Sequence, residues 1–275
     1  MEIYGLPGGT LLRTVTHPAA VNAVAFAPAG HDLVSGGVDG SLLVTRDGRD
    51  PMRLPEAAGG IDAVGILSDG RVVGTDTHRR LRVIDPERNI VLAELEIPGR
   101  VRLLRPAPDG VHLLTLSMKS QQTPPVLWDL ERYRLVRQLE GHVGRVWSAR
   151  FVRDGREILT AGADGTARLW DAATGQLQQT YRGGSRFLAD AALAPDGSVV
   201  VAGGGDGLLR FWDAASARQI WTLQAHKSHV LGIHFEGENL VTRGFTGDAA
   251  RWTLSTAAQV IEACNGTIAC DKIRK

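Results

Sequence analysis

Cysteine is almost missing from this chain. Of its 275 residues only Cys264 and Cys270 carry a thiol, too few for a disulfide framework, and with no export signal we expect two unpaired thiols. Lysine is nearly as scarce, at positions 119, 227, 272 and 275 among 31 basic residues, a bias expected of a GC-rich bacterial genome. An excess of one charge is missing too. The net charge of +1 excludes a global pull toward nucleic acid or an anionic membrane, so any charge used for binding is local. Long apolar runs are absent: Met1 is followed by EIYGLPGGTLLR, no basic segment leads into an apolar stretch, and nothing reaches 18 consecutive apolar residues. That pattern predicts a soluble, cytoplasmic protein. Glycine, at 33 residues, is abundant against a usual share of about 7%. Many tight turns are implied.

The turns recur with a period. A third strand of each repeat ends at Asp47, Asp85, Asp129, Asp171, Asp213 and Thr253, in steps of 38 to 44 residues. Each repeat opens with an apolar strand (VNAVAF from 21, VWSARF from 146) and turns at Gly preceded by Asp or Pro (SDG at 68, PDG at 108 and 195). A second apolar strand, an Asp-Gly turn (Asp39, Asp164, Asp206), the third strand and a more polar fourth strand follow, such as GQLQQTY from 175. Four short antiparallel strands make a sheet too small to bury both faces alone. Neighbouring sheets must cover it, and radial stacking does so with only short edges exposed.

Trp-Asp pairs at 128 and 129, 170 and 171, and 212 and 213, with Gly-His at 141 and 142, resemble the WD-repeat β-propeller family over roughly residues 3 to 254. The resemblance implies a buried hydrogen-bonded set in each sheet: a His entering it, a Ser or Thr on the second strand, the Asp of the next turn and the Trp of the third strand. One repeat supplies all four as His142, Thr160, Asp164 and Trp170. In the first, His17, Ser35 and Asp39 stand at equivalent spacing with Thr45 in place of Trp. In the last, His226, Thr242 and Trp252 are present with Thr246 in place of Asp. The repeats around 61–85 and 101–129 lack the set. A His, an Asp and a hydroxyl also fit a catalytic triad, but a triad is a single assembly, whereas recurrence once per sheet marks a packing device.

The expected fold class is therefore all-β, a WD-repeat β-propeller with four antiparallel strands per blade. Six blade cores are visible, at about 21–47, 61–85, 101–129, 145–171, 187–213 and 229–253, within one domain spanning 1–254. By the resemblance, an N-terminal strand at 9–16 closes the last blade. Residues 255–275 form a tail in which Thr256 as N-cap, Gln259 and a stop at Gly266 predict a short helix. Seven blades remain the alternative, with the tail supplying extra structure or a blade missing.

Signatures of chemistry are missing. There is no G-x-x-x-x-G-K-[ST], H-E-x-x-H or C-x-x-C. GGG at 203–205 lies between two strands, where a hairpin turn explains it better than a phosphate cradle. His226, His229 and His234 run from a loop into a strand, a poor metal-ligand spacing. Asp69, Asp109, Asp154 and Asp196 read as turn formers. No enzymatic activity, cofactor or metal is expected.

What remains is surface. The resemblance places at one rim of a propeller the loops entering each first strand, here Arg100, Arg102, Arg145, Trp147, Arg186, Phe187, Lys227 and His229, and the turns between second and third strands, here His78 and Phe245. Arginine beside aromatic residues is enriched in protein interfaces and would suit an acidic or phosphorylated segment. The competing reading is scattered solvated charge, with Trp147 and Phe187 partly buried in neighbouring blades. The leading expectation is a non-catalytic scaffold that binds a protein or peptide. The alternative is a sensor or substrate-receptor subunit of a larger bacterial effector or defence assembly whose activity sits in another chain. An enzyme would need convergent ionisable groups in the central channel. Nucleic acid as a direct ligand and membrane association are not expected; oligomeric state stays open.

Overall fold

A computed structural model describes residues 2–5, 10–28, 32–46, 49–101, 103–117, 123–184 and 187–253. The expected tail helix, Cys264, Cys270, and the rim residues Arg102 and Arg186 lie outside the described residues. Among the described residues every regular element is a β-strand. The chain divides into two compact units, residues 1–137 and 138–275.

The first unit holds a two-stranded pair, β1 (Glu2–Gly5) and β2 (Thr10–Thr14), and three four-stranded antiparallel sheets. Their strands are β3 (Val21–Phe26), β4 (Leu33–Gly37), β5 (Leu42–Thr45) and β6 (Met52–Leu54); β7 (Ile61–Ile66), β8 (Val72–Asp76), β9 (Arg80–Asp85) and β10 (Ile90–Glu96); β11 (Leu103–Pro106), β12 (His112–Leu116), β13 (Val126–Asp129) and β14 (Arg134–Gln138). In the second unit follow β15 (Val146–Val152), β16 (Glu157–Gly162), β17 (Thr166–Asp171) and β18 (Leu177–Arg182); β19 (Leu188–Leu193), β20 (Val199–Gly204), β21 (Leu208–Asp213) and β22 (Gln219–Gln224); and the three strands β23 (Val230–Glu236), β24 (Asn239–Gly244) and β25 (Ala249–Thr253).

The turns are built as the sequence implies. Asp69, Asp109, Asp164, Asp196 and Asp206 each accept the backbone N–H two residues on, at 2.8 to 3.1 Å. The residue after Asp164, Gly165, takes a φ of 71° that a side chain would resist. Second strands such as β16 and β20 are buried almost throughout, while the fourth strand β18 is largely exposed, which explains its polar composition. Sheets cover one another in pairs. In the second unit Leu159, Leu169, Tyr181, Ala191, Val200 and Trp212 share one core, and Val201, Phe211, Ile233, Leu240 and Trp252 another. Fully buried aliphatic and Phe side chains of this kind each stabilise by roughly 1.5–3 kcal/mol.

First strands carry a recurring irregularity. β3, β7, β15, β19 and β23 each shift register after their first residue, so that one extra residue, namely Asn22, Asp62, Trp147, Ala189 or Leu231, stands outside the ladder. Such bulges re-aim side chains, and here Asn22, Asp62 and Trp147 each reach a residue outside their own sheet. Asn22 donates to the Ile61 carbonyl at 2.7 Å and Asp62 is gripped by Arg100.

Candidate functional site

The polar set that recurs in several of the sheets decides which residues are structural. In the second unit His142 Nδ1 lies 3.0 Å from both carboxylate oxygens of Asp164, and its Nε2 lies 2.7 Å from Thr160 Oγ1. Trp170 Nε1 donates to the same Thr160 oxygen at 2.9 Å. A carboxylate can only accept, so Nδ1 carries the proton, Nε2 accepts from the threonine hydroxyl, and the hydroxyl oxygen accepts from the indole. Burial pushes the His142 imidazole below its ordinary value, against the pull of Asp164, and keeps it neutral. The Thr160 hydroxyl and both ring nitrogens of His142 are thus all engaged in hydrogen bonds.

The last repeat closes the same chain with a different residue. His226 Nε2 lies 2.9 Å from Thr242 Oγ1, Trp252 Nε1 donates to that oxygen at 3.0 Å, and Nδ1 is bonded by Asp248. Thr246, read from the sequence as a replacement for the missing Asp, instead donates to Asp248 at 2.6 Å. The sequence reading missed Asp248. The signal was present as an exchange of Asp-Gly-Thr at 164–166 for Thr-Gly-Asp at 246–248. It also missed Thr115, which accepts from Trp128 Nε1 at 3.0 Å and gives the third sheet half of the set. In the first repeat His17 and Asp39 meet through Ser41, while His17 Nε2, Ser35 Oγ and Thr45 Oγ1 are buried without a hydrogen-bond partner. Thr45 pairs with Leu33 as Trp170 pairs with Ile158 two residues before the hydroxyl, so no indole N–H reaches Ser35.

The expected rim residues occupy one repeated backbone position. The residue before each first strand offers its carbonyl to the residue after the second: Arg145 to Ala163 at 2.7 Å, Phe187 to Gly205 at 3.1 Å, His229 to Phe245 at 2.9 Å. In the second unit this frame, with the Trp147 bulge, lines up a ladder of rings. The Arg145 guanidinium sits 4.2 Å from the Trp147 ring centroid; Trp147 and Phe187 are 5.5 Å apart, Phe187 and His229 5.4 Å, His229 and Phe245 5.8 Å. Trp147, Phe187 and His229 are half-buried, whereas the terminal Phe245 is 65% exposed. A Cβ on Gly205 would stand 2.6 Å from the Phe187 ring, so the GGG run is the surface on which that ring lies.

The remaining rim residues part company. Arg100 belongs to the first unit, where Asp62, its side chain fully buried, binds it through Nε at 2.7 Å and through Nη2. That pairing holds the guanidinium above its usual pKa and cancels its charge. His78, also in the first unit, is exposed. Lys227 is exposed beside His226 and makes no ion pair among the described residues. His226, His229 and His234 serve three separate ends: the polar set, the ladder, and a pair with Glu236 at 3.2 Å. Among the described residues no cluster of His, Cys, Asp or Glu could hold a metal ion. The first unit has a cleft of about 800 Å³ between β3, β7 and β11, lined mainly by apolar residues such as Val24, Phe26, Leu104 and Pro106.

Three segments, 9–45, 133–171 and 175–213, match the family model "WD domain, G-beta repeat". The chain is 28% identical over 186 residues to a guanine nucleotide-binding protein subunit beta of Oryza sativa subsp. japonica, covering 60% of this chain and 48% of that protein. It is 37% identical over 65 residues to the retinoblastoma-binding-like protein E of Dictyostelium discoideum, covering 24% and 12%. The chain spans about half the length of the guanine nucleotide-binding relatives it matches. A crystal structure of the computationally designed Ika8 protein superposes with a TM-score of 0.78 at 21% identity, over 92% of this chain and 77% of that one. Three segments of the chain thus match WD40 repeats, and its all-β fold is consistent with a β-propeller.

Proposed function

We propose that this protein is a non-catalytic scaffold that recognises a partner protein or peptide through the face formed by Arg145, Trp147, Phe187, His229 and Phe245. WD-repeat proteins generally act as protein-interaction scaffolds. Two relatives are by name a subunit of a guanine nucleotide-binding protein and a retinoblastoma-binding-like protein, names that speak of assembly with other proteins. The observation that carries the reading is the ladder itself. Four rings in successive contact end on a phenylalanine exposed to solvent, on strand ends and turns fixed by backbone hydrogen bonds. Rigid aromatic anchors with an arginine are what interface hot spots are made of. A His-Asp-Thr constellation is present, but each member is bonded within a buried chain that ends on a Trp, which serves packing and not turnover.

Affinity capture with the wild-type protein and with a variant carrying Arg145→Glu, Trp147→Ala and Phe245→Ala, both shown to fold, tests the reading. A partner held by the wild type and lost by the variant supports it. Equal retention moves recognition off this face, and failure to recover any stoichiometric partner overturns the scaffold.

A further inference from the structure

Resting on that reading, we infer that the occupant of the ladder face is an acidic peptide segment that also carries an aromatic or large apolar residue. The argument is an account of charge on the second unit. Two arginines on its third strands are already neutralised by the aspartates of the preceding turns: Arg168 lies 3.3 Å from Asp164, and Arg210 lies 2.5 Å from Asp206. His226 is matched by Asp248. Three cations, one on the ladder and two within two residues of it along the chain, have no carboxylate partner among the described residues. Arg145 sits over the Trp147 ring, Lys227 is exposed two residues before His229, and Arg243 is exposed two residues before Phe245. The acids of this neighbourhood are therefore spent internally, and the free charge is positive.

The same rings and cations bear on what the occupant is not. A basic or neutral segment would leave three cations desolvated without a counter-charge, and burying an unpaired charge is unfavourable. Single-stranded nucleic acid also uses aromatic rings and cations, but it needs a continuous basic track for its phosphates. Here the cations are three separate side chains, at positions 145, 227 and 243, and do not form such a track. A peptide can place carboxylates discretely at Lys227, Arg243 and Arg145 and set a side chain against Phe245 and His229. Arg145 Nε and Trp147 Nε1 are buried N–H groups without an acceptor, so the donor side of this corner is in surplus as well.

The test uses the full chain and fluorescence anisotropy of four labelled probes: a dodecapeptide of repeated Glu-Asp-Phe, the same peptide with Lys for each acid, the same with Ser for each acid, and a twelve-nucleotide single-stranded DNA. We expect the acidic probe to bind at least 10-fold more tightly than the other three and to weaken as salt is raised. Lys227→Glu with Arg243→Glu, both on exposed side chains, should weaken it at least 10-fold while the melting temperature stays put. Preference for the lysine probe or the DNA, equal binding of all four, or indifference to salt and to the charge reversal overturns the inference. Affinity capture separates the two layers: a partner that depends on Phe245 but binds through a non-acidic segment overturns only the acidic occupant, whereas no partner at all overturns the scaffold beneath it.

Discussion

Asp248 bonds Nδ1 of His226 from 22 residues further along the chain, the same step that separates His142 from Asp164, although within the turn, counted from Thr242 and Thr160, it stands two residues later. The turn is the same length, and a threonine fills the vacated place in each case: Thr166 donates to Asp164 at 2.8 Å, Thr246 to Asp248 at 2.6 Å. The carboxylate has moved across the turn while its function at the imidazole is kept. Its pKa is lowered to about 2, first by Thr246 and then by His226. Asp248→Asn should therefore lower the melting temperature, and the exchange Thr246→Asp with Asp248→Thr should recover most of the loss. No recovery in the exchanged protein would mean that the turn tolerates only one arrangement.

Thr160 is the hinge of the complete set, since both His142 and Trp170 depend on its hydroxyl. Thr160→Val leaves a buried imidazole nitrogen and an indole N–H unpaired, and should destabilise by about 1–3 kcal/mol in urea titration. The corresponding hydroxyl of the first repeat, Ser35, has no hydrogen-bond partner, nor has Thr45. Ser35→Ala with Thr45→Val removes two unsatisfied groups together and should be close to neutral. Equal losses at the two sites would contradict the contrast.

Acid should act on His142 before it acts on Asp164. Burial lowers the His142 pKa, so the unfolded chain takes up its proton at a higher pH than the folded one. Its contribution is complete above about 6.5, the ordinary value for the side chain, and declines as pH falls below it. Asp164, held below 3.8 by His142, Thr166 and the Val143 N–H although burial opposes this, adds a second loss only in stronger acid. The stability difference between wild type and His142→Gln should narrow from pH 7.5 to pH 5. A difference that widens would reverse the sign.

Gly205 offers a lever on the ladder that leaves the core alone. A methyl group there collides with the far edge of the Phe187 ring, which moves at little strain but breaks contact with Trp147 and His229. Gly205→Ala should weaken partner binding with a melting temperature near that of the wild type. A large fall in melting temperature would show that Phe187 is a core residue and not a recognition element.

The fold was legible because the repeat writes each sheet several times over. Asp-Gly turns, second strands such as SVVVAGG and the Trp-Asp ends place strands in the structure where the pattern puts them. Members of the polar set that sit at fixed spacing, His142 to Trp170, were equally visible. Asp248 was not, because alignment on Thr242 and Trp252 puts Thr246 at the place of Asp164, whereas only the 22-residue step from the histidine points to Asp248. Thr115 was hidden by the long connection before Trp128. The bulges that aim Trp147 and Asp62 left no mark either, since one extra residue in a six- or seven-residue apolar strand does not alter its composition. Charge pairing was the largest gap: nothing in the order of residues joins Arg100 to Asp62 across 38 positions, yet that pair removes one arginine from the rim.

The most direct test of the account is the dissociation constant of the captured partner for the wild type and for Phe245→Ala. Phe245 is 65% exposed and contributes little to the core, so its loss should leave stability intact. The account predicts a weakening of at least 10-fold, in the range of an interface hot spot. An unchanged dissociation constant would contradict it, and would show that the aromatic ladder is not the face that recognises the partner.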